Sequence, residues 1–301
     1  MCTLVLWINA IIIMNTLGGI KVSADKEKSK QQMIEIWDKV GTTFGTIGPR
    51  YWDFFGDRLV ALADIKEGSQ VLDIGSGRGA SLFPAAKKVG IHGHVTGIDL
   101  SKIMVRETMA DIHNKSIHNA IILQMDAENL KFNDSSFDNI LCGFALGALL
   151  QSDTKLDGVM RVLKNNGQVG FSIWGVQEDN KWLVGLGNKH LGLNPPIQNN
   201  KNNFNDPAFD VCKWVSTILT EASFKNIHTY AETENVIYKD EEEWWKEMWS
   251  NGVRYTLEKL RNMGNDKVQN FKSEAFEGLQ KYKTDNGICF KRSVIYAFGR
   301  K

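Results

Sequence analysis

Short apolar runs alternate with amphipathic stretches along the middle of the chain. The runs are continuously apolar rather than alternating, which is typical of strands buried on both faces of a parallel sheet. Strands separated by helices favour βαβ units and an α/β fold. The predicted strands are 71–74, 94–98, 120–124, 137–142 and 168–173, and the predicted helices are 80–89, 102–114 and 154–163.

The pattern changes after residue 174. Residues 180–205 are rich in Gly, Asn and Pro and predict a long loop or lid. Further on, helices are predicted over 208–222 and 268–282, and strands over 227–230 and 293–298. The segment 240–263 is acidic and then aromatic, and it contains three tryptophans. Together with the aromatic stretch at 43–55, it predicts a helical, aromatic cap beside the sheet.

The first 30 residues differ from the rest of the chain. Residues 2–20 carry no charge and include an apolar run at 4–13, which fits a signal sequence or a membrane anchor within residues 1–24. No Lys or Arg precedes the run and polar residues interrupt it, which argues against a signal sequence or an anchor. A second explanation is that the sequence begins at an upstream start codon and the folded protein starts further along the chain. We expect residues 1–30 to lie outside the fold, and 31–301 to form one domain with cap segments at about 33–60 and 180–285.

Composition and charge argue against a nucleic-acid substrate and against a metal site. The 301 residues are 43% hydrophobic and 24% charged, with a formal net charge of +1. No basic stripe is present, so a nucleic-acid substrate is not expected. The four cysteines are widely spaced and predict neither a zinc site nor a disulfide framework, so no metal is expected. They are Cys2, Cys142, Cys212 and Cys289.

A glycine-rich turn follows the first predicted strand and leads directly into a helix. Glycines permit positive φ and let a ligand approach the backbone, and the start of the helix offers free N–H groups. Asp73 precedes the turn, and its carboxylate would repel a pyrophosphate but suit a ligand that carries an ammonium group. The remaining residues of this candidate cofactor site are Gly75, Ser76, Gly77 and Gly79.

Acidic residues also follow the next two predicted strands. Asp99 ends the second strand, where a carboxylate can accept from both hydroxyls of a ribose. Asp126 follows the third strand, where it can accept from an adenine amino group. The carboxyl ends of the strands form the ligand-binding edge of open α/β sheets, so these residues and Asp73 predict a nucleoside site.

These motifs resemble class I S-adenosylmethionine-dependent methyltransferases, especially the group that methylates quinones and natural products. The resemblance covers about residues 37–175. The family's D-x-G-x-G-x-G motif is matched by residues 73–79, its ribose-binding acid by Asp99, and its adenine-contacting acid by Asp126. Its L-P-F and S-F-D stretches fall on 130–132 and 136–138, with Lys131 in place of Pro. Its helix-to-strand turn falls on 161–167, with Asn166 in place of Gly.

The resemblance implies a Rossmann-like, seven-stranded, mostly parallel sheet of order 3-2-1-4-5-7-6, with helices on both faces and an antiparallel seventh strand. It also implies S-adenosyl-L-methionine as the cofactor. An N-terminal aromatic residue often covers the cofactor in relatives, and Tyr51 or Phe44 fits that role. Further implied or predicted cofactor contacts are Leu100, Met104, Ala127, Glu128, Gly143 and Phe144.

The predicted function is transfer of a methyl group to a carbon or oxygen of a small apolar or aromatic metabolite, in the cytoplasm where the cofactor is made. The edge after the fourth strand, 143–147, has no acid, Asn or Tyr, which disfavours N-methylation. His190 and His228 are candidate general bases. One alternative is a catalytically inactive cofactor-binding regulator. Another is an NAD-dependent oxidoreductase, which would need G-x-G-x-x-G spacing that this turn lacks.

Overall fold

The computed structural model describes residues 22–150, 156–193, 204, 206 and 208–301. Contacts between Cα atoms divide the chain into two compact units. The sheet unit contains Tyr51–Ile173, Asp210–Glu232 and Val294–Lys301, and the helical unit contains Met1–Arg50, Trp174–Phe209 and Thr233–Ser293. Among the described residues, no helix is both long and apolar enough to cross a membrane.

Strands and helices alternate from residue 70 to residue 124, and longer series of helices and strands follow. The strands are β1 Gln70–Ile74, β2 His94–Asp99, β3 Ala120–Gln124, β4 Phe137–Gly143, β5 Leu163–Trp174, β6 Lys225–Tyr238, β7 Lys283–Thr284 and β8 Gly287–Arg300. The helices are α1 Val22–Val40, α2 Tyr51–Leu62, α3 Leu82–Val89, α4 Lys102–Asn114, α5 Leu146–Leu149, α6 Asp157–Val162, α7 Asn180–Leu191, α8 Val211–Glu221, α9 Glu241–Met248, α10 Arg254–Met263 and α11 Asn265–Leu279.

The described strands form one sheet of order β3-β2-β1-β4-β5-β8-β6, with the two-residue β7 paired to β8. The predicted order, 3-2-1-4-5-7-6, differs only because β7 makes the last long strand the eighth in the chain. All neighbouring pairs among β1 to β5 are parallel: β1 pairs with β2 and β4, β2 with β3, and β4 with β5. The predicted α/β, Rossmann-like fold class is confirmed.

The register of the parallel strands brings their carboxyl ends to one edge. Ile74 of β1 lies opposite Ile98 of β2, and Asp99 lies opposite Gln124 of β3. Strands β1 and β2 are almost wholly buried, as expected for central strands with helices on both faces. Helix α3 buries its apolar face: Leu82, Ala85, Ala86 and Val89. This packing holds the start of α3 beside the end of β1.

In the helical unit, α7 packs against α10 and α11. Trp244 of α9 is fully buried, with its ring 6.3 Å from that of Trp182 in α7 and 6.4 Å from that of Trp245. The Tyr238 hydroxyl donates a hydrogen bond to the buried Glu247 carboxylate. The tryptophans at 244 and 245 are therefore core residues of the helical unit.

Two features of the structure differ from what the sequence pattern predicts. Residues 180–205 were expected to be a loop, but α7 begins at Asn180 and ends at Leu191, closed by Gly192 in the left-handed conformation. The apolar positions of this helix are diluted by Gly185 and Gly187, which lower helix propensity. At the N-terminus, α1 runs from Val22 across the boundary near residue 30. Residues 1–21, with the predicted apolar run, lie outside the described residues, and the single-domain organisation stays a prediction.

Candidate functional site

The turn after β1 has the backbone that only glycine adopts readily. Gly75, Gly77 and Gly79 have φ values of +67°, +51° and +82°. A Cβ atom on Gly75 would lie 2.5 Å from the Cβ of Ala145, and one on Gly79 would lie 2.5 Å from the Phe83 ring. The turn therefore lacks a side chain at these three positions, which the positive φ values and the close contacts with Ala145 and Phe83 require.

Asp73 lies directly under this turn. The side chain is 1% exposed, and its Oδ2 accepts a hydrogen bond of 2.7 Å from the Ser76 hydroxyl. Burial raises the pKa of the Asp73 carboxyl to about 7; the Ser76 hydrogen bond opposes this, and the Asp99 carboxylate adds to it. A cation bound nearby would lower this pKa and favour the ionised carboxylate, which in turn attracts the cation. The buried Asp73 carboxyl is therefore suited to a positively charged ligand.

Asp99 joins the turn to the start of α4. Its Oδ2 accepts from the Gly77 N–H at 2.9 Å, and its Oδ1 accepts from the Ser101 N–H at 2.9 Å. The Thr108 hydroxyl donates to the Gly77 carbonyl at 2.7 Å and ties the turn to the same helix. A carboxylate offers about four lone-pair sites, so it can accept from backbone amides and from ligand hydroxyls together.

The next residues complete the start of α4. The Ser101 hydroxyl accepts from the Met104 N–H at 3.1 Å, which is an N-cap, as its sequence position predicts. Met104 is 2% exposed and Leu100 is half-buried. The predicted adenine-flanking methionine is thus a mostly buried residue of the helix.

The end of β3 forms a compact turn at the same edge. The Met125 N–H donates to the Asp99 carbonyl at 3.0 Å, so the chain after β3 stays beside β2. Asp126 Oδ1 accepts from the Glu128 N–H at 3.0 Å, and both residues and Ala127 are partly exposed. The structure therefore brings the three predicted acids to one edge.

After β4 the backbone takes a strained conformation. Phe144 has φ of +57°, which is rare for a bulky residue and is concentrated at functional sites. Its N–H donates to the Ser172 carbonyl at 2.8 Å. Its ring packs edge-on against Trp52 at 5.3 Å and tilted against Phe55 at 5.8 Å. The aromatic cluster of Trp52, Phe55 and Phe144 thus lies where β4 ends, beside Gly143.

Helix α2 contacts the chain just after the glycine turn at its middle and is held by α3 at its end. A Cβ on Gly56 would lie 2.1 Å from the Ala80 carbonyl oxygen, so the two backbones are in direct contact. The Lys88 ammonium donates to the carbonyls of Val60 and Ala63 at 2.7 and 2.8 Å, where α2 ends. Tyr51, at the start of α2, has its ring 4.9 Å from that of Trp52. Its predicted place over a cofactor stays a prediction.

Gly56→Ala tests how tightly α2 is held. We expect a loss of about 2–3 kcal/mol in the free energy of unfolding, because the added methyl meets backbone atoms that cannot turn aside. Urea denaturation measures it. Gly185→Ala is the matched control: its Cβ would meet no atom within 4 Å in the exposed part of α7, and we expect a gain of about 0.4–1 kcal/mol. Equal effects at the two sites would contradict the close contact.

The two candidate bases lie on elements that do not form this edge of the sheet. His190 is in α7 of the helical unit, where its Nε2 lies 2.9 Å from Glu274 Oε2 and its ring contacts Phe271. The Lys189 ammonium donates to the same Glu274 carboxylate at 2.6 Å. His228 is an exposed residue of β6, stacked at 5.3 Å on Phe298. Because β6 is three positions from β4 in the sheet, His228 is remote from the β4 edge, and a role for either histidine stays a prediction.

Four residues of the site carried little signal in the sequence: Trp52, Gly56, Lys88 and Ser172. Only the aromatic stretch around Trp52 indicated one of them. Within the described part of the chain, no group of three or more His, Cys, Asp or Glu could hold a metal ion. The expectation of a site without a metal is not tested by that finding.

Comparison with known proteins points to the same stretch. Residues 71–167 match the family model described as "Methyltransferase domain". Aklanonic acid methyltransferase DauC from Streptomyces sp. strain C5 is 34% identical over 48% of this chain and 65% of its own length. Demethylmenaquinone methyltransferase from Listeria welshimeri is 32% identical over 48% of this chain and 62% of its own length. These matches span less than two thirds of either relative.

A solved structure supports the fold. The YcgJ protein from Bacillus subtilis superimposes with a TM-score of 0.52 over 82% of this chain and 98% of its own, at 20% identity. The sheet order and the glycine turn after β1 define a Rossmann-like fold, with three acids near the ends of β1, β2 and β3. Residues 71–167 of the chain match a methyltransferase domain, and the resemblance of the motifs to methyltransferases is confirmed.

Proposed function

We propose that this protein is an enzyme that transfers the methyl group of S-adenosylmethionine to a carbon or oxygen of a small, apolar or aromatic metabolite. The observation that carries the proposal is the glycine turn after β1, with Asp73 beneath it and Asp99 bound to its Gly77 amide. Two relatives are named as methyltransferases of aklanonic acid and of demethylmenaquinone, which supports a small-molecule acceptor.

The residues fit the cofactor part by part. Asp99 would accept from the ribose hydroxyls, Asp126 would accept from the adenine amino group, and Met104 and Leu100 would flank the base. Asp73 supplies negative charge near the sulfonium and ammonium groups, and the bare backbone of Gly75, Gly77 and Gly79 allows close contact. When bound, S-adenosylmethionine supplies an electrophilic methyl carbon.

The chain's own contribution to the reaction is alignment and exclusion of water. The cluster of Trp52, Phe55 and Phe144 presents an apolar wall at the end of β4. Such a wall desolvates the reacting atoms and orders a flat acceptor. No acid, Asn or Tyr occurs at 143–147, which favours carbon or oxygen over nitrogen as the methylated atom.

The proposed setting follows from the cofactor. We propose that the protein acts in the cytoplasm, where S-adenosylmethionine is made, on a free small molecule rather than on a nucleic acid. The net charge of +1 without a basic stripe supports that choice of partner.

Two measurements test the proposal in sequence. Calorimetry with S-adenosylmethionine should show binding, and incubation with methyl-labelled cofactor and a panel of phenols and quinones should give a labelled product. Binding without turnover on any acceptor of a metabolite library would favour the cofactor-binding regulator. Absence of binding would contradict the assignment of the site.

A further inference from the structure

Strand β3 forms one edge of the sheet, and its outer side has no partner among the described strands. Its pairing with β2 continues for one residue beyond each end of the strand. The Val95 N–H donates to the Asn119 carbonyl at 2.9 Å, and the Met125 N–H donates to the Asp99 carbonyl at 3.0 Å. The chain is therefore extended from residue 119 to residue 125, and it presents an open edge to which another strand can pair.

This edge has few of the features that usually prevent pairing between molecules, which are charged side chains, proline, bulges or a covering helix. Residues 119–125 contain no charge and no proline. No helix lies between β3 and β4 in residues 125–136, all of which are described. Strand β6, at the opposite edge, exposes the charged side chains of Lys225 and Glu234. The sheet thus protects one edge and leaves the other open.

The two faces of β3 differ in exposure. Helix α4 packs on the strand, and Ala120 and Ile122 are buried. Ile121 and Leu123 point to the other face and are 44% and 37% exposed. The open edge is therefore accompanied by an apolar strip that the described chain does not cover.

The backbone of β3 determines how a second strand would pair. Residues 119 and 125 bond to β2, and the groups of a strand alternate between its two sides. Ala120, Ile122 and Gln124 therefore direct their N–H and C=O groups to the open edge. An antiparallel second copy centred on Ile122 would meet all these groups, because Ile122 would pair with itself and Ala120 with Gln124. Each such pair exchanges both of its N–H···O=C bonds.

The side chains are complementary in the same register. Ile121 would lie opposite Leu123 of the second copy, so the exposed apolar side chains would cover each other. His118 is exposed before the strand and Asp126 is half-buried after it. These two residues would lie opposite each other at both ends of the pairing, where an imidazole N–H can donate to a carboxylate. A register shifted by two residues would lose this match and one hydrogen-bonded pair.

We propose that this protein forms a two-fold symmetric dimer in which the β3 strands of two copies pair antiparallel about Ile122 and join the two sheets. A second copy is the partner that fits, because a two-fold contact needs one surface that complements itself. The contact is short, so the dimer is in reversible equilibrium with the monomer. It brings His118 of the second copy beside Asp126, at the edge of the sheet where the nucleoside site is proposed.

Two double variants test the contact and its register. Ile121→Lys with Leu123→Lys places like charges opposite each other, and the dissociation constant of the dimer should rise at least about 100-fold. Ile121→Lys with Leu123→Glu places opposite charges there, and the dissociation constant should stay within about tenfold of the wild-type value. Sedimentation velocity of the full chain over a series of concentrations measures both. Both positions are exposed and the variants differ at one residue, so the opposite-charge variant controls for folding.

Tyr230→Lys is the matched control at the other edge, because Tyr230 is a 42% exposed residue of β6. It should leave the dimer unchanged, and loss of the dimer in this variant would place the contact at the wrong edge. A wild type that is monomeric at every concentration, or a like-charge variant that remains dimeric, would overturn the proposal. If both double variants were equally monomeric, the register and the proposal would be wrong. Sedimentation needs neither cofactor nor acceptor, so these outcomes do not bear on the proposed function.

Discussion

Asp99→Ala should lower affinity for S-adenosylmethionine by at least about 100-fold, or about 2.7 kcal/mol. Two effects add in this variant. The ribose hydroxyls lose their acceptor, and the Gly77 and Ser101 amides lose theirs, so the glycine turn is no longer tied to the start of α4. Hydrogen bonds to a charged group contribute about 1.5–3 kcal/mol each, which makes a loss of this size reasonable. Titration calorimetry measures it.

Asp99→Asn separates the two effects. The amide keeps one oxygen that can accept from a backbone N–H, so the turn should be partly retained while the charge is lost. We expect an affinity between those of the wild type and of Asp99→Ala. Asp111→Asn is a control on α4: its carboxylate pairs with Arg78 at 2.8 Å, and its loss should change affinity little. Wild-type affinity in Asp99→Ala would contradict the placement of the ribose.

The central sheet and its binding edge could be predicted from the sequence because both are local signals. Strands buried on both faces read as apolar runs, and β3 has the predicted bounds while β1, β2 and β4 differ by one residue. The acids follow from the same runs, since Asp73 lies near the end of the first, Asp99 directly follows the second and Asp126 comes two residues after the third. The register then brings Asp73 and Asp99 to one edge without further information.

Elements whose pattern is weak or split were predicted less well. Strand β6 runs from Lys225 to Tyr238 at the edge of the sheet, and only 227–230 was predicted, because most of its side chains are exposed and polar. Strand β5 begins at Leu163, five residues before the predicted start. Its register shifts opposite 137–139, and Asn166 at φ of +63° makes the turn that the sequence indicated as a helix stop.

The parts of the site that depend on packing gave almost no signal. Gly56 resembles any helix glycine until its contact with Ala80 is seen, and Lys88 resembles a surface lysine until its ammonium is found on the carbonyls of α2. Ser172 is an ordinary strand residue whose unpaired hydroxyl appears only in three dimensions. Such residues are defined by partners distant in sequence, which a single sequence does not reveal.

Asp73→Asn should stabilise the protein without ligand, in a manner that depends on pH. The pKa of Asp73 is about 7 in the fold and near 3.8 unfolded. Between these two pH values the carboxyl is protonated in the folded state and ionised in the unfolded state. The contribution of Asp73 to the free energy of unfolding is therefore largest below about pH 4 and is lost as the pH rises through 7. At pH 8 the variant should be more stable by roughly 2–4 kcal/mol, since one pKa unit corresponds to about 1.4 kcal/mol. Denaturation at pH 4.5 and 8 measures the difference, which should fall to about 1 kcal/mol at the lower pH.

The same carboxyl should make cofactor affinity depend on pH in the opposite sense. A cationic ligand needs Asp73 ionised, so below pH 7 part of the binding free energy goes into removing its proton. Affinity of the wild type should fall by up to about tenfold per pH unit between pH 7 and 5.5. Asp73→Asn should bind at least about tenfold more weakly at pH 8 and lack this slope, because its side chain does not titrate. Titration of the ligand itself is common to both proteins and cancels in the comparison. If affinity changed equally with pH in the two proteins, the Asp73 charge would not act on the ligand. Asp73 would then lower the stability of the ligand-free protein without strengthening the binding of a cation.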